Sequence, residues 1–318
     1  MKNVSRVGSN FVLIGLVEMD NLKYLFSALA LILYIATMIL CFAVICVVWT
    51  EVKLHEPMYI FIGNLVFNVI IGSSALMPKL VIDLFLGLKT IDLPGCLVQS
   101  FCIESFAYAE ILTFTIMAYD RYLSIGQPLR YPILMTIEKA LKSIAVIWAI
   151  VFINRIVGVA LAARLTLCGV TINNVYCETM SLTRLACGDT TINNVFGITS
   201  TLLVVISSLL TVIYCYLRTL FFCLKISGSA YQKAIHTLVT HIAAFSTFMV
   251  PTLFVGFRYR LNSGPLSTAT HVIISMTEIT ASITLNPLIY GIRTETLRIK
   301  LLSSFQKVNF LKFLSKSK

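Results

Sequence analysis

Seven apolar runs constrain this chain more than any single motif in it. They fall near residues 25–49, 58–84, 96–121, 141–163, 195–222, 237–257 and 269–290. Each reaches the roughly 20 residues a helix needs to cross a hydrocarbon core. None alternates apolar and polar residues with the period of a membrane barrel, so the spans are predicted to be helical. The chain is 58% apolar and only 12% charged, about half the charge of a soluble domain, which suits burial in lipid. The expected fold is an all-α membrane protein, a seven-transmembrane helix bundle. Residues 1–24 would be an extracellular N-terminus, 25–290 the bundle and 291–318 a cytoplasmic tail.

Charge and cysteine placement orient the bundle. Fifteen Lys and Arg fall in segments that an outside N-terminus would leave in the cytoplasm, against eight outside, which predicts a cytoplasmic C-terminus. Four of nine cysteines, Cys96, Cys168, Cys177 and Cys187, lie in segments assigned outside, where disulfides form. Four cysteines allow three pairings, and spacing does not choose among them. Asn3 opens an N-glycosylation sequon on the same side. The apolar stretch from Phe11 to Val17 is too short for a signal peptide and runs into Glu18 and Asp20. The first span is therefore expected to serve as its own uncleaved targeting signal. In the tail, Leu297, Leu301, Phe305 and Phe310 alternate with basic residues, as in a short amphipathic helix lying on the inner membrane surface.

Several functions are disfavoured. The net charge of +11 is spread over loops and tail without an aromatic-interleaved patch, so no nucleic-acid partner is expected. His55, His236, His241 and His271 are scattered, with no metal-ligand spacing. Gly-rich phosphate loops and nucleophile elbows are missing, so the chain reads as a non-enzyme without cofactor or metal. A transporter would share the polar mid-membrane groups, but seven spans do not divide into paired repeats.

Some polar residues sit where lipid makes them expensive. Asp120 and Arg121 lie together at the inner end of the third span, a charge pair able to act as a latch between two states. Tyr216 and Tyr290 are candidate partners for the open state. Pro251 and Pro287 interrupt the sixth and seventh spans, and a kinked helix is a natural pivot. Glu110 stands ten residues before Asp120, close to three helical turns, which places a carboxylate near mid-membrane. It is expected to join Asn68 and Asn286 in a polar network, either as a sodium ligand or as a neutral acid.

Four blocks carry a resemblance. They are Leu54-His-Glu-Pro-Met-Tyr59, Met117-Ala-Tyr-Asp-Arg-Tyr122 with Pro128-Leu-Arg-Tyr131, Lys233-Ala-Ile-His-Thr-Leu-Val-Thr-His241, and Asn286-Pro-Leu-Ile-Tyr290. In this order they resemble the signatures of the odorant (olfactory) receptors within the rhodopsin-like G-protein-coupled receptors. The Glu-Pro-Met-Tyr form looks most like the fish-type branch. The chain departs from the pattern at Cys41, where the family usually has Asn, at Val69, where many members have Asp, and at Leu238, where Cys is usual. The first two departures weaken a sodium-type polar pocket.

The resemblance implies a multi-pass plasma-membrane receptor of sensory cilia, among membrane lipids. Its partners would be a small odorant, water-soluble by this reading, and a heterotrimeric stimulatory olfactory G protein that raises cyclic AMP. It implies pairing of Cys96 with Cys177 and of Cys168 with Cys187. It also adds Tyr122 and His241 to the coupling set. Ligand contacts are expected from outer halves of four spans: Ile103, Glu104, Ala107, Tyr108 and Ile111; Ser200, Thr201 and Val204; Thr252, Leu253 and Gly256; Thr277, Glu278 and Ala281. Glu104 and Glu278 would favour a cationic or amine-bearing ligand, unless Arg155 pairs with one of them. The alternative is a non-olfactory receptor of the same fold for an amine or peptide.

Overall fold

The computed structural model describes residues 10–224, 229–260 and 268–293, with Ile299. Asn3 and the tail amphipathic helix lie outside the described residues. The described residues begin with β1 (Asn10–Leu13) and a short helix α1 (Ile14–Glu18). The seven spans are α2 (Lys23–Thr50), α3 (Pro57–Leu86), α4 (Leu93–Gly126), α6 (Ile137–Ala163), α8 (Thr191–Cys223), α9 (Ser229–Arg260) and α10 (Thr268–Arg293). Between them lie β2 (Thr90–Asp92), α5 (Tyr131–Leu134), β3 (Thr171–Ile172) and α7 (Thr179–Leu185).

Local chemistry sets these boundaries. Pro57 stands in the first turn of α3, where its missing N–H costs nothing, and Gly87 (φ 70°) ends that helix in a left-handed cap. Thr136 caps α6, its Oγ1 accepting the Lys139 N–H at 3.2 Å. Most helices run a few residues past the apolar runs, because helical backbone continues into the interface after the hydrophobic composition ends.

The centre of the bundle is α4, flanked by α3. Both bury 61% of their most apolar window, whereas α2, α6 and α8 bury 22%, 17% and 22%. The outer three therefore turn Leu and Ile side chains such as Ile32, Ile153 and Leu203 outward, as lipid-facing helices do. Lipid is as apolar as Leu, so close packing and hydrogen bonds must hold the helices together. Gly72 on α3 lets the Phe106 ring of α4 approach so closely that a Cβ there would meet it at 2.6 Å. Phe106 and Phe114 then meet Phe248 and Phe245 of α9 edge-on, at 6.3 and 6.0 Å between ring centroids.

At one end a small sheet sews three segments together in the order β2-β1-β3. The central β1 pairs antiparallel with β2, Phe11 opposite Ile91, and parallel with β3, Leu13 opposite Ile172. Val12 N–H donates to the Val170 carbonyl at 2.7 Å and Leu13 N–H to the Lys89 carbonyl at 2.8 Å. Phe11, Leu13 and Leu16 are buried beneath it. The segment from Phe11 to Val17 thus serves as a strand and a short helix over the bundle.

Candidate functional site

Two disulfides, Cys96–Cys177 and Cys168–Cys187, shape the segment between α6 and α8. The first ties this segment to the head of α4, where Gln99 Oε1 also accepts the Cys177 N–H at 2.9 Å. Directly below, the half-buried Glu104 of α4 makes an ion pair with the buried Arg155 of α6, Oε2 to Nη1 at 2.8 Å. Its other oxygen, Oε1, accepts both the backbone N–H (2.8 Å) and the hydroxyl (2.6 Å) of Thr179, at the start of α7. The Arg155 guanidinium lies 3.9 Å from the Tyr108 ring centroid, and the Tyr108 hydroxyl is 2.9 Å from Thr201 Oγ1 on α8. One cluster therefore joins three spans and the overlying loop helix.

At mid-bundle, Glu110 is fully buried. Its Oε1 accepts from Asn286 Nδ2 at 2.6 Å and from the Ser282 hydroxyl, both on α10. Asn286 Nδ2 also reaches Ser282 Oγ at 3.1 Å. Asn68 on α3 instead donates to the Phe106 carbonyl at 2.9 Å, one turn before Glu110. A second knot lies further inward: Trp148 Nε1 donates to Asn64 Oδ1, and Asn64 Nδ2 donates to Thr113 Oγ1, each at 2.9 Å.

At the inner end, Asp120 is 1% exposed and sits 3.2 Å from Arg121 Nη2. This is an ion contact without good hydrogen-bond geometry: neither Asp120 Oδ2 nor Arg121 Nε has a hydrogen-bond partner among the described residues. Adjacent helical residues do not face one another, which accounts for the poor alignment. The Tyr131 hydroxyl of α5 completes the arrangement, donating to Asp120 Oδ1 at 2.8 Å. Burial first, then the Asp120 charge, pushes the Tyr131 phenol above its ordinary range, which keeps it a donor. Tyr216 and His241 are buried within electrostatic range of Arg121. Tyr122 packs between Tyr119, Tyr214 and Phe222, with ring centroids 6.0–6.3 Å away.

Of the residues singled out in the sequence, Glu104, Tyr108, Ser200 and Thr201 converge on the outer cluster, Ser200 Oγ lying 3.5 Å from Arg155 Nη2. Ala107, Val204 and Leu253 are half-buried against the core, while Ile103 and Ile111 are buried in it. Thr252 and Thr277 bond the Phe248 and Ile273 carbonyls of their own helices, at 2.8 and 2.6 Å, and Ala281 is half-buried. Pro287 is buried within α10. Pro251 and Gly256 on α9, and Glu278 and Tyr290 on α10, are placed by backbone position, and their side chains lie outside the described residues. The sequence put Tyr131 in the loop from Gln127 expected to meet the G protein but did not foresee its bond to Asp120, and it gave Thr179 and Ser282 no role. Tyr131 stood in a quoted block, whereas the other two carry no local signal.

Seven helices, an outer disulfide from the third span to the loop after the fourth, and an inner acid–arginine pair define a rhodopsin-type receptor. The fold overlays on the crystal structure of squid rhodopsin with a TM-score of 0.73 at 19% identity, covering 91% of this chain and 87% of that one. A family model described as Olfactory receptor matches residues 29–307. Human Olfactory receptor 10G3 is 32% identical over 294 residues, 92% of each chain. Mouse Olfactory receptor 5AP2 is 32% identical over 299 residues, 93% of each. Human Olfactory receptor 11A1 is 35% identical over 248 residues, 76% of each. The chain belongs to the olfactory receptor family. It is accordingly a multi-pass plasma-membrane receptor for odorants that couples to a G protein, which is not an enzyme class.

Proposed function

We propose that the receptor binds its odorant beneath the disulfide-tied loop and signals through a stimulatory olfactory G protein, raising cyclic AMP in sensory cilia. The observation that carries this reading is the inner latch. Asp120 is buried, its partner Arg121 is poorly aligned, and the Tyr131 phenol supplies one hydrogen bond to the carboxylate. An odorant that favours the open state needs about 5.5 kcal/mol of differential affinity to convert a resting majority into an active one.

In this reading the outer cluster and the half-buried Ala107, Val204 and Leu253 contact the ligand, with Gly256 and Glu278 as further contacts. Glu110, Ser282 and Asn286 relay the change along α4 and α10, and Pro251 and Pro287 give the sixth and seventh spans their pivots. Lipid packs against the outward faces of α2, α6 and α8. Asn3 carries a glycan, and the Glu-Pro-Met-Tyr block supports membership of the fish-type branch.

The test is cyclic AMP in cells expressing the receptor with an olfactory stimulatory G protein, challenged with pooled odorants. Arg121→Ala runs alongside at matched surface expression. A response lost in the variant is expected. A response equal in both would overturn the latch.

A further inference from the structure

Counting donors and acceptors in the outer cluster narrows the ligand class, on the reading that this cluster faces the odorant. Glu104 has one acceptor site left: Oε1 accepts twice from Thr179 and Oε2 accepts once from Arg155, three of the carboxylate's four lone pairs. An ammonium at that remaining site on Oε2 would lie beside the Arg155 guanidinium, a like charge 2.8 Å from the same oxygen. The amine preference suggested by Glu104 therefore loses its chemical basis.

Arg155 differs. A guanidinium carries five N–H donors. Nε bonds Asn154 Oδ1 at 3.0 Å, Nη2 bonds the same oxygen and reaches Ser200 Oγ at 3.5 Å, and Nη1 bonds Glu104 at 2.8 Å. The second hydrogen on Nη1 has no recorded acceptor among the described residues. Arg155 is 6% exposed, so that donor is held away from bulk water. A buried donor without an acceptor gains most from an incoming oxygen.

The charge state then decides between oxygens. Glu104 already neutralises Arg155, so a carboxylate would bring a second anion to that pair and lose its own hydration. A neutral carbonyl supplies the missing acceptor without either cost. We infer that the outer cluster selects a neutral carbonyl-bearing odorant (an aldehyde, ketone or ester) through Arg155. Glu104 acts as the positioning residue that fixes the guanidinium and the loop helix together.

The test is binding to the purified receptor in lipid nanodiscs, read as thermal stabilisation by heptanal, methyl hexanoate, heptanoate and heptylamine. The neutral carbonyl compounds should act at concentrations about ten-fold or more below heptanoate and heptylamine. Glu104→Gln keeps an acceptor for Thr179 while removing the anion, so heptanoate should gain about ten-fold. The double variant E104Q/R155Q, which leaves no buried charge unpaired, should lose discrimination among the three classes.

Heptylamine binding as well as heptanal would overturn the inference. So would a preference that survives in the double variant, or a lack of stabilisation by either carbonyl compound. Because binding is read without a G protein, a failure of coupling cannot be mistaken for a wrong ligand class.

Discussion

The Tyr131 hydroxyl, carried by a single helical turn after the third span, donates to Asp120 Oδ1 at 2.8 Å and so holds the carboxylate oxygen that Arg121 does not pair with. A hydrogen bond to a charged group contributes about 1.5–3 kcal/mol. Tyr131→Phe removes it and leaves the ring, so the resting state should lose about ten-fold in population relative to the active one. Raised ligand-free cyclic AMP at equal surface expression is the expected outcome. Unchanged basal signalling would remove Tyr131 from the latch.

Asn286→Ala strips a donor from the fully buried Glu110 and should cost about 1–3 kcal/mol, seen as a lower unfolding temperature of the solubilised receptor. Glu110→Gln keeps an acceptor oxygen for Asn286 and Ser282 and should be the milder change. The reverse order would mean that the network is not organised around that oxygen.

Gly72→Ala would press a methyl into the Phe106 ring at 2.6 Å. Phe106 is 1% exposed and meets Phe248 on another side, so it has little room to yield. Overpacking of this kind costs about 1–3 kcal/mol. Reduced thermal stability is expected, with Gly72→Ser no better.

The two disulfides should differ in weight. Cys96–Cys177 closes 81 residues of chain and Cys168–Cys187 only 19. On loop entropy alone the longer closure is worth about 1 kcal/mol more, and it also anchors the loop to α4. Cys96→Ser should therefore deplete surface receptor more than Cys187→Ser, as counted by flow cytometry on intact cells.

Asp189 accepts the Thr191 N–H at 2.9 Å and its hydroxyl at 2.5 Å, just ahead of α8. The Thr191 side-chain bond, then the backbone bond, holds the carboxyl below its ordinary 3.8. A depressed folded value means this stabilisation is present above the unfolded pKa and lost as pH falls through the folded one. Lower amide protection at the head of α8, relative to the intrinsic exchange rate, is expected below about pH 4, and this loss of protection should be absent in Asp189→Asn.

Much of this architecture was legible in the sequence, because a helix in lipid must satisfy its own backbone and so announces itself as a long apolar run. The Asp120–Arg121 pair and the Glu110–Asn286 contact were legible for a related reason, since polar groups in such runs need partners. The Asn68 partner was not legible: it is a backbone carbonyl, that of Phe106, which every residue possesses. Arg155 could be named as a possible partner of Glu104, but Thr179, which takes that carboxylate's other oxygen, lies 75 residues away in a loop with no periodic pattern. The strands of the small sheet have only four, three and two residues, too short for any alternation to register.

That sheet carries a consequence for biogenesis. Its central strand, β1, is synthesised first, yet its partners are β2, between the second and third spans, and β3, beyond the fourth. β1 must wait in the lumen, with Phe11 and Leu13 uncovered, until both of its later partners have been made and the four spans before β3 have been threaded through the membrane. The opening segment is thus the keystone of the outer cap, cut first and set last.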